Sequence, residues 1–320
     1  MVKRIGVLTS GGDSPGMNAA IRAVTRSALS SNVEVFGIYD GYKGILDEHI
    51  EQLNTSSVSD IMVRGGTILG SARLPEFLDI NVQKKALAIL KKFEIDALVT
   101  IGGDGTYRGA LALTKLGVNC IGLPGTIDND IACTDYTIGF DTALNTVIEA
   151  VDKLRDTSSS HHRCSVVEVM GNHCGDIALF AGISSGAEMI ITPEKGYDEK
   201  AVLEKMLYMD QVRRKRHAII LLTEKITDAE ILAEKISAYT SFSGRSTVLG
   251  HIQRGGSPSA FDRILATRMG DKAVQLLISN NGGQCVGIDG SDVIAYPIAE
   301  ALAMNKKSRD HLYELHERLV

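Results

Sequence analysis

No apolar stretch in the 320 residues approaches the ~18 that a membrane-crossing helix needs, so no span is expected. Basic charge is not in excess either: 34 Lys and Arg stand against 39 Asp and Glu, a net charge of −5. That balance argues against nucleic acid as the main partner, while leaving room for local basic clusters that hold anions. The five cysteines, Cys120, Cys133, Cys164, Cys174 and Cys285, are odd in number and lack metal-ligand spacing. Reduced thiols in a cytoplasmic protein are therefore expected. MVKRIGVLTSGG runs directly into a strand pattern, without the layout of a signal peptide. Missing too are Gly-x-x-x-x-Gly-Lys-Ser/Thr and Gly-x-Gly-x-x-Gly, which removes the P-loop and the Rossmann fingerprint. What is there is an ordinary globular composition, 44% hydrophobic and 23% charged, with length for roughly two domains.

The chain is organised around Ile101 to Asp130. Gly102-Gly103-Asp104-Gly105-Thr106 and Pro124-Gly125-Thr126-Ile127-Asp128-Asn129-Asp130 are polar loops, each after an apolar run with strand character, DALVTI and VNCIGL. A helix-length segment from about Tyr107 to Leu116 lies between them. Loops at the carboxyl ends of neighbouring parallel strands form the crevice in which open α/β sheets bind ligands. Gly102, Gly103 and Gly105 let backbone amides approach closely, and amides at a helix start suit phosphate. Asp104 inside that cradle would repel a bare phosphate, and makes most sense holding Mg²⁺ against one. Asp128 and Asp130 supply carboxylate to accept a hydroxyl proton and to organise the metal. Gly-Gly-Asp-Gly alone reads equally well as a tight turn, and Asp-Asn-Asp alone is often a solvated loop. Two of them in successive strand-loop units point to phosphoryl transfer.

Other segments repeat the pattern. Arg4 to Thr9 is a strand, Ser10 to Gly16 a loop, and Met17, Ala20, Ile21, Val24 and Ala28 recur at helical spacing. Arg22 and Arg26 lie i,i+4 on that helix, off the apolar stripe, where cations are usually only solvated. Val33 to Tyr39 reads as a strand, with Gly41, Gly44 and Asn54 to Ser59 marking loops. Arg64-Gly65-Gly66-Thr67 and Ser71-Ala72-Arg73 bring Gly and Arg together again, and Arg73 suits phosphate. A helix from Asp141 shows one apolar face through Leu154, and Arg155 to Arg163 reads as a surface loop. A second βαβ series then follows: strand Ser165–Val169, helix from about Gly175, strand Glu188–Ile191, helix about Asp198–Met209, strand Ala218–Leu222. Val212 to His217 is the densest basic run, immediately before a strand. Glu224 follows that strand where ligand contacts are typical, and Gly250-His251-Ile252-Gln253-Arg254-Gly255-Gly256 is another Gly-loop with His and Arg inside.

SGGDSPGMNAAIR, GSAR, IGGDGT, PGTIDND, RDTSSSH, VEVMG and LGHIQRGGSP, in this order and at these separations, resemble the bacterial ATP-dependent 6-phosphofructokinase family. The resemblance covers nearly the whole chain and weakens after about Asp289. GGDGT alone is shared with NAD kinases and diacylglycerol kinases; the full series is far more specific.

The resemblance implies an α/β protein of two Rossmann-like doubly wound domains. Residues 1–140 with about 252–302 would bind ATP, and 141–251 with about 303–320 would bind fructose 6-phosphate; periodicity alone puts a single boundary near Asp141. It implies transfer of the ATP γ-phosphoryl to the 1-hydroxyl of fructose 6-phosphate, with Mg²⁺. Asp128 would be the base, Thr126 would assist and Asp104 would bind the metal, with Asp130 kept among the catalytic carboxylates. Gly12, Arg73, Leu74, Gly103, Gly105 and Thr106 would line the ATP site. Besides Thr126, Ile127 and Asp128, the sugar phosphate would meet Met170, Gly171, Asn172, Glu224, His251, Ile252, Gln253 and Arg254. Arg163 and Arg245 would reach in from a neighbouring subunit of a homotetramer. An effector site for ADP and phosphoenolpyruvate would use Arg22, Arg26, Arg155, Gly186, Glu188, Arg213, Lys215, Arg216 and His217.

Glycine at 105 and 125 points to ATP, since pyrophosphate-using relatives tend to carry Asp and Lys there. Two positions depart from the family pattern: Thr55 stands where many allosteric members have Arg, and Asn172 where an Arg is usual. Altered regulation is expected from the first, and some loss of transition-state charge from the second. A lipid or NAD kinase and a non-enzymatic nucleotide sensor are the rival readings. PGTIDND with His251 to Arg254 argues against the one, and retained Asp104, Asp128 and Asp130 against the other.

Overall fold

The computed structural model describes residues 2–320. Its chain forms two compact units, one running up to Thr142 and resuming over Arg254–Lys306, the other made of Ala143–Gln253 and Lys307–Val320.

The first unit runs β1 (Arg4–Thr9), α1 (Met17–Ser30), β2 (Glu34–Ile38), α2 (Gly41–Leu46), β3 (Ile50–Leu53), α3 (Ile80–Lys92), β4 (Ala97–Gly102), α4 (Asp104–Lys115) and β5 (Asn119–Pro124). The long α5 (Phe140–His161) leads into the second unit, with β6 (Arg163–Val169), α6 (Asp176–Ser185), β7 (Met189–Ile191), α7 (Glu199–Gln211), β8 (Ala218–Thr223), α8 (Ala229–Tyr239) and β9 (Ser243–Val248). The chain then returns to the first unit as α9 (Ala260–Ile278), β10 (Gln284–Asp289), β11 (Asp292–Pro297) and α10 (Ile298–Ala301), and closes the second with α11 (Asp310–Leu319).

The first unit's sheet has the order β11-β10-β5-β4-β1-β2-β3, parallel except for the edge pairs β2–β3 and β10–β11. Alternation along the strands sorts its core into two layers. Ile5, Val7, Val99 and Leu123 pack with α1 and α9 on one face. Leu8, Ile38, Leu98 and Cys120 pack with α2, α3, α4 and α10 on the other. Helices on both faces of a mainly parallel sheet make this the doubly wound architecture. The second unit's sheet, β7-β8-β6-β9, is wholly parallel. Helix starts are set locally: Asp79, Asp198, Asp228 and Ser259 each accept a backbone N–H from the first turn of the helix that follows.

Three segments differ from the sequence reading. Arg155 to His161 is not a loop but the end of α5, and β6 begins at Arg163. Ser158 is fully buried and shares a 2.7 Å hydrogen bond with Ser165 Oγ, while Ser159 and Ser160 bond back to the Asp156 carbonyl, so a polar segment continues the helix. Gly41 and Gly44 lie in α2 rather than in loops. A β-carbon on Gly44 would stand 1.6 Å from the Tyr39 carbonyl oxygen, so glycine is there for close approach. Finally, α4 starts at Asp104 rather than Tyr107, which makes Gly103 its N-cap and puts Asp104 and Gly105 in its first turn. Among the described residues no helix is long and apolar enough to cross a membrane.

Candidate active site

In the first unit β1, β4 and β5 are adjacent and parallel, so the loops after them open along one sheet edge. They are stitched to one another there. Ser10 N donates to the Ile101 carbonyl at 3.0 Å, Thr106 Oγ1 to the Ser10 carbonyl at 3.0 Å, and Gly125 N to the Gly102 carbonyl at 3.1 Å. The start of α4 carries no side-chain cap. A β-carbon added at Gly103 or Gly105 would meet nothing within 4 Å, so this amide-rich turn faces open space.

Asp128 and Thr126 are buried, each 8% exposed. Their loop is held at several points: Asp128 N donates to Thr126 Oγ1, Thr137 Oγ1 to the Thr126 carbonyl, and Thr137 N to Asn129 Oδ1. Asn129 takes a left-handed φ of 51° to make that turn, and its Nδ2 donates to the Asp135 carbonyl. Burial pushes the Asp130 carboxyl up, and the negative charge of Asp104 adds to it, opposed by Lys306 and Arg254. Partial desolvation likewise raises Asp104, opposed by Arg108. Two carboxylates that feel each other beside an open amide turn suit a divalent cation shared with a phosphate, since Mg²⁺ needs only one or two protein carboxylates. Among the described residues no group of three or more His, Cys, Asp or Glu could hold a metal ion, so a protein-enclosed site of the zinc type is not offered.

Arg254 Nη1 donates to the Asp13 carbonyl at 3.1 Å, which lays the guanidinium against Gly12. Arg73 is exposed, and Leu74 packs on the core beneath α2 and α3. Arg22 is half-buried and Arg26 exposed on α1.

The second unit gathers its residues at the carboxyl ends of β6, β8 and β9. Glu224 N donates to the Val169 carbonyl, Leu249 N to the Glu168 carbonyl, and Met170 N to Oε1 of the fully buried Gln253. Asn172 N donates to Glu224 Oε1 at 2.9 Å. Gly171 has φ 147°, and a β-carbon there would lie 2.3 Å from the Cys174 carbonyl oxygen. His251 and Ile252 follow as exposed residues of a 3₁₀ turn, Gly250–Arg254. Arg163 and Arg245 are not part of this cluster. Arg163 begins β6 and Arg245 pairs with Ser165, so both sit toward the amino ends of their strands, with Arg245 in an open cleft beside Glu230 and Glu234.

A separate cluster joins residues of the basic run to Glu188, just before β7. Lys215 Nζ donates to Glu188 Oε1 at 2.7 Å, and Glu188 Oε2 accepts from Ile219 N at 2.7 Å. Arg155 reaches the Ser185 carbonyl, next to Gly186, and lies 3.2 Å from His217 Nε2. Burial holds the His217 pKa down. Arg213 and Arg216 are exposed.

Sequence reasoning missed Asp262, buried in the first turn of α9, which accepts from Gly139 N, Thr142 N and Thr142 Oγ1. The Ser259-x-x-Asp262 spacing of a capping box is the signal that marks it.

Residues 4–277 match the family described as Phosphofructokinase. An ATP-dependent 6-phosphofructokinase from Aliivibrio salmonicida is 57% identical over 321 residues, covering all of both chains, and the enzyme of the same name from Vibrio cholerae is equally similar. Among solved structures, phosphofructokinase from Saccharomyces cerevisiae superposes with a TM-score of 0.89 at 33% identity, covering 98% of this chain and 50% of that one. A pyrophosphate-dependent phosphofructokinase from Marinobacter aquaeolei shares the fold at a TM-score of 0.86 and 20% identity, covering 97% of this chain and 86% of that one.

Proposed function

The chain belongs to the phosphofructokinase family and phosphorylates fructose 6-phosphate with ATP, and from that premise we propose how its residues divide the work. The reading rests on one observation above the others: a pinned, buried loop presents Asp128 two residues from Asp130, whose carboxyl feels Asp104.

Asp128 accepts the proton of the sugar 1-hydroxyl as that oxygen attacks the γ-phosphorus, and the bond to the ADP oxygen breaks in line. Thr126, bonded to the Asp128 amide, stands beside the transferring group. The start of α4, with Gly103, Gly105 and Thr106, takes the ATP phosphates on backbone amides, and Gly12, Arg73 and Leu74 complete the nucleotide's surroundings. Asp104 and Asp130 would hold Mg²⁺, which supplies positive charge to the phosphate oxygens. Little covalent chemistry is left to the protein, so rigid positioning of these loops is its main contribution.

Within the second unit, Met170, Gly171, Asn172, Glu224 and the His251–Gln253 turn are assigned to fructose 6-phosphate, as are Ile127 and Arg254 of the first. Arg163 and Arg245, at the amino ends of their strands, are assigned to a neighbouring copy's substrate, which makes the active form a homo-oligomer and, in this reading, a homotetramer. The Glu188, Lys215, His217 and Arg155 cluster, with Gly186, Arg213 and Arg216 and with Arg22 and Arg26 of the first unit, is assigned to ADP and phosphoenolpyruvate. Thr55 leaves that site one cation short and weakens its response. A cytoplasmic location accompanies the phosphorylated substrates and the five free, buried cysteines.

The test is formation of fructose 1,6-bisphosphate with ATP or pyrophosphate as donor, with and without Mg²⁺, while phosphoenolpyruvate and ADP are titrated. Turnover with ATP and Mg²⁺ and a shallow phosphoenolpyruvate curve is expected; turnover without any divalent cation would remove the Asp104 and Asp130 assignment.

A further inference from the structure

Strands β6 and β8 are adjacent and parallel, with Val169 opposite Thr223, so the residues just beyond their carboxyl ends meet. Two of these, Asn172 and Lys225, have left-handed φ angles of 57° and 67°. Asparagine tolerates that conformation because its short amide bonds locally; for lysine it costs on the order of 1–2 kcal/mol. Neighbouring contacts hold it there. Asn172 N donates to Glu224 Oε1 at 2.9 Å, Glu224 N to the Val169 carbonyl at 2.9 Å, and Lys225 Nζ to Asn172 Oδ1 at 2.6 Å.

The choice of partner is informative. Glu224 precedes Lys225 in the chain and Asp228 follows three residues on, yet the lysine's hydrogen bond goes to a neutral amide, Asn172 Oδ1. An amide acceptor fixes the direction of an ammonium without neutralising it. Lysine has three donors, and one is used here. The side chain is exposed, so the remaining two N–H bonds and the full charge face outward at the strand ends where α/β sheets bind ligands.

We propose that Lys225 is a phosphoryl-binding cation of the active site, and that Asn172 is its positioning residue. The proposal rests on the assignment of fructose 6-phosphate to the carboxyl ends of β6 and β8. The group bound is a phosphoryl dianion, either the 6-phosphate of the sugar or the group in transfer, and kinetics separates the two. A contact to the 6-phosphate acts on KM for fructose 6-phosphate; a contact that strengthens as charge develops in transfer acts on kcat.

The experiment is steady-state kinetics of Lys225→Met, Lys225→Arg, Lys225→Gly and Asn172→Ala in the full-length enzyme, with Glu224→Gln and His251→Ala alongside. Lys225→Met should lower kcat/KM for fructose 6-phosphate by about 10- to 100-fold. Lys225→Arg should recover most of it, and Asn172→Ala should lose part of it because the ammonium is untethered. Lys225→Gly separates activity from folding: glycine relieves the left-handed backbone, so its melting temperature should hold or rise while activity falls as in Lys225→Met. Kinetic constants of Lys225→Met within twofold of wild type would overturn the proposal. If Glu224→Gln and His251→Ala raise KM in that case, the sugar-phosphate assignment stands without Lys225; if they too change nothing, the assignment itself has failed.

Discussion

Arg254 and Gly12 approach so closely that no β-carbon fits between them: one placed on Gly12 would stand 2.5 Å from Arg254 Nη1, whose donor goes to the Asp13 carbonyl. The two residues are 242 positions apart in a chain that leaves the first unit and returns to it. The neighbour that must move is the end of a flexible side chain rather than backbone, so Gly12→Ala should fold normally and lose the placement of Arg254. We expect KM for fructose 6-phosphate to rise by about tenfold, as for loss of one good charge-assisted contact, with the melting temperature unchanged. Thermal unfolding beside steady-state kinetics checks both halves.

Asp128 sits in a loop pinned by the hydrogen bonds of Thr126, Asn129 and Thr137. Asp128→Ser should therefore leave that loop in place and remove the base alone. Binding of fructose 6-phosphate should stay near normal while kcat falls by about 10²–10⁴-fold, the usual worth of a general base. Near-normal turnover would take Asp128 out of the role.

The loops after β1, β4 and β5 are legible in the sequence because each is announced locally, an apolar run and then glycine and aspartate. Other features depend on partners far along the chain. Nothing in QCVGID says that β10 extends the sheet beside β5, since its neighbours Ile121 and Gly122 lie more than 160 residues earlier. Gly44 looks like a loop residue until the Tyr39 carbonyl is seen pressed against it. Arg155 to His161 looks like a loop until Ser158 is seen facing Ser165. Nothing in the local pattern marks Lys225, because neither its left-handed φ nor the Asn172 carboxamide 53 residues away leaves a trace there.

The two glycines that point to ATP have different surroundings. Gly105 faces open space, so Gly105→Asp should keep its stability and lose ATP turnover through charge placed where phosphate binds. A β-carbon on Gly125 would meet Ile101 Cγ2 at 2.9 Å and Met17 Cε at 3.1 Å. Gly125→Lys should therefore also destabilise, by about 1–3 kcal/mol, as overpacked sites do. Kinetics with ATP and pyrophosphate, read beside denaturant unfolding, separates the two effects. Equal stability of the two variants would contradict the packing seen at Gly125.

Asp262 carries a pH dependence whose sign can be worked out. Burial pushes its carboxyl up to about 6, with the Asp141 charge adding, despite hydrogen bonds from Gly139 and Thr142. An unfolded aspartate titrates near ~3.9, so between these values the folded chain binds more protons than the unfolded one. Stability from this group is then fully present below about pH 4 and lost as pH rises through about 6, a change of roughly 3 kcal/mol. Asp262→Asn removes the titration and adds a pH-independent cost of about 1–3 kcal/mol, because its NH₂ must face an N–H or O–H donor. Wild type should thus exceed the variant in unfolding free energy by about 1–3 kcal/mol near pH 4, a margin that vanishes or reverses by pH 7. A margin that grows with pH would mean that the three donors outweigh burial and hold the carboxylate ionised at this junction of Gly139, Thr142 and α9.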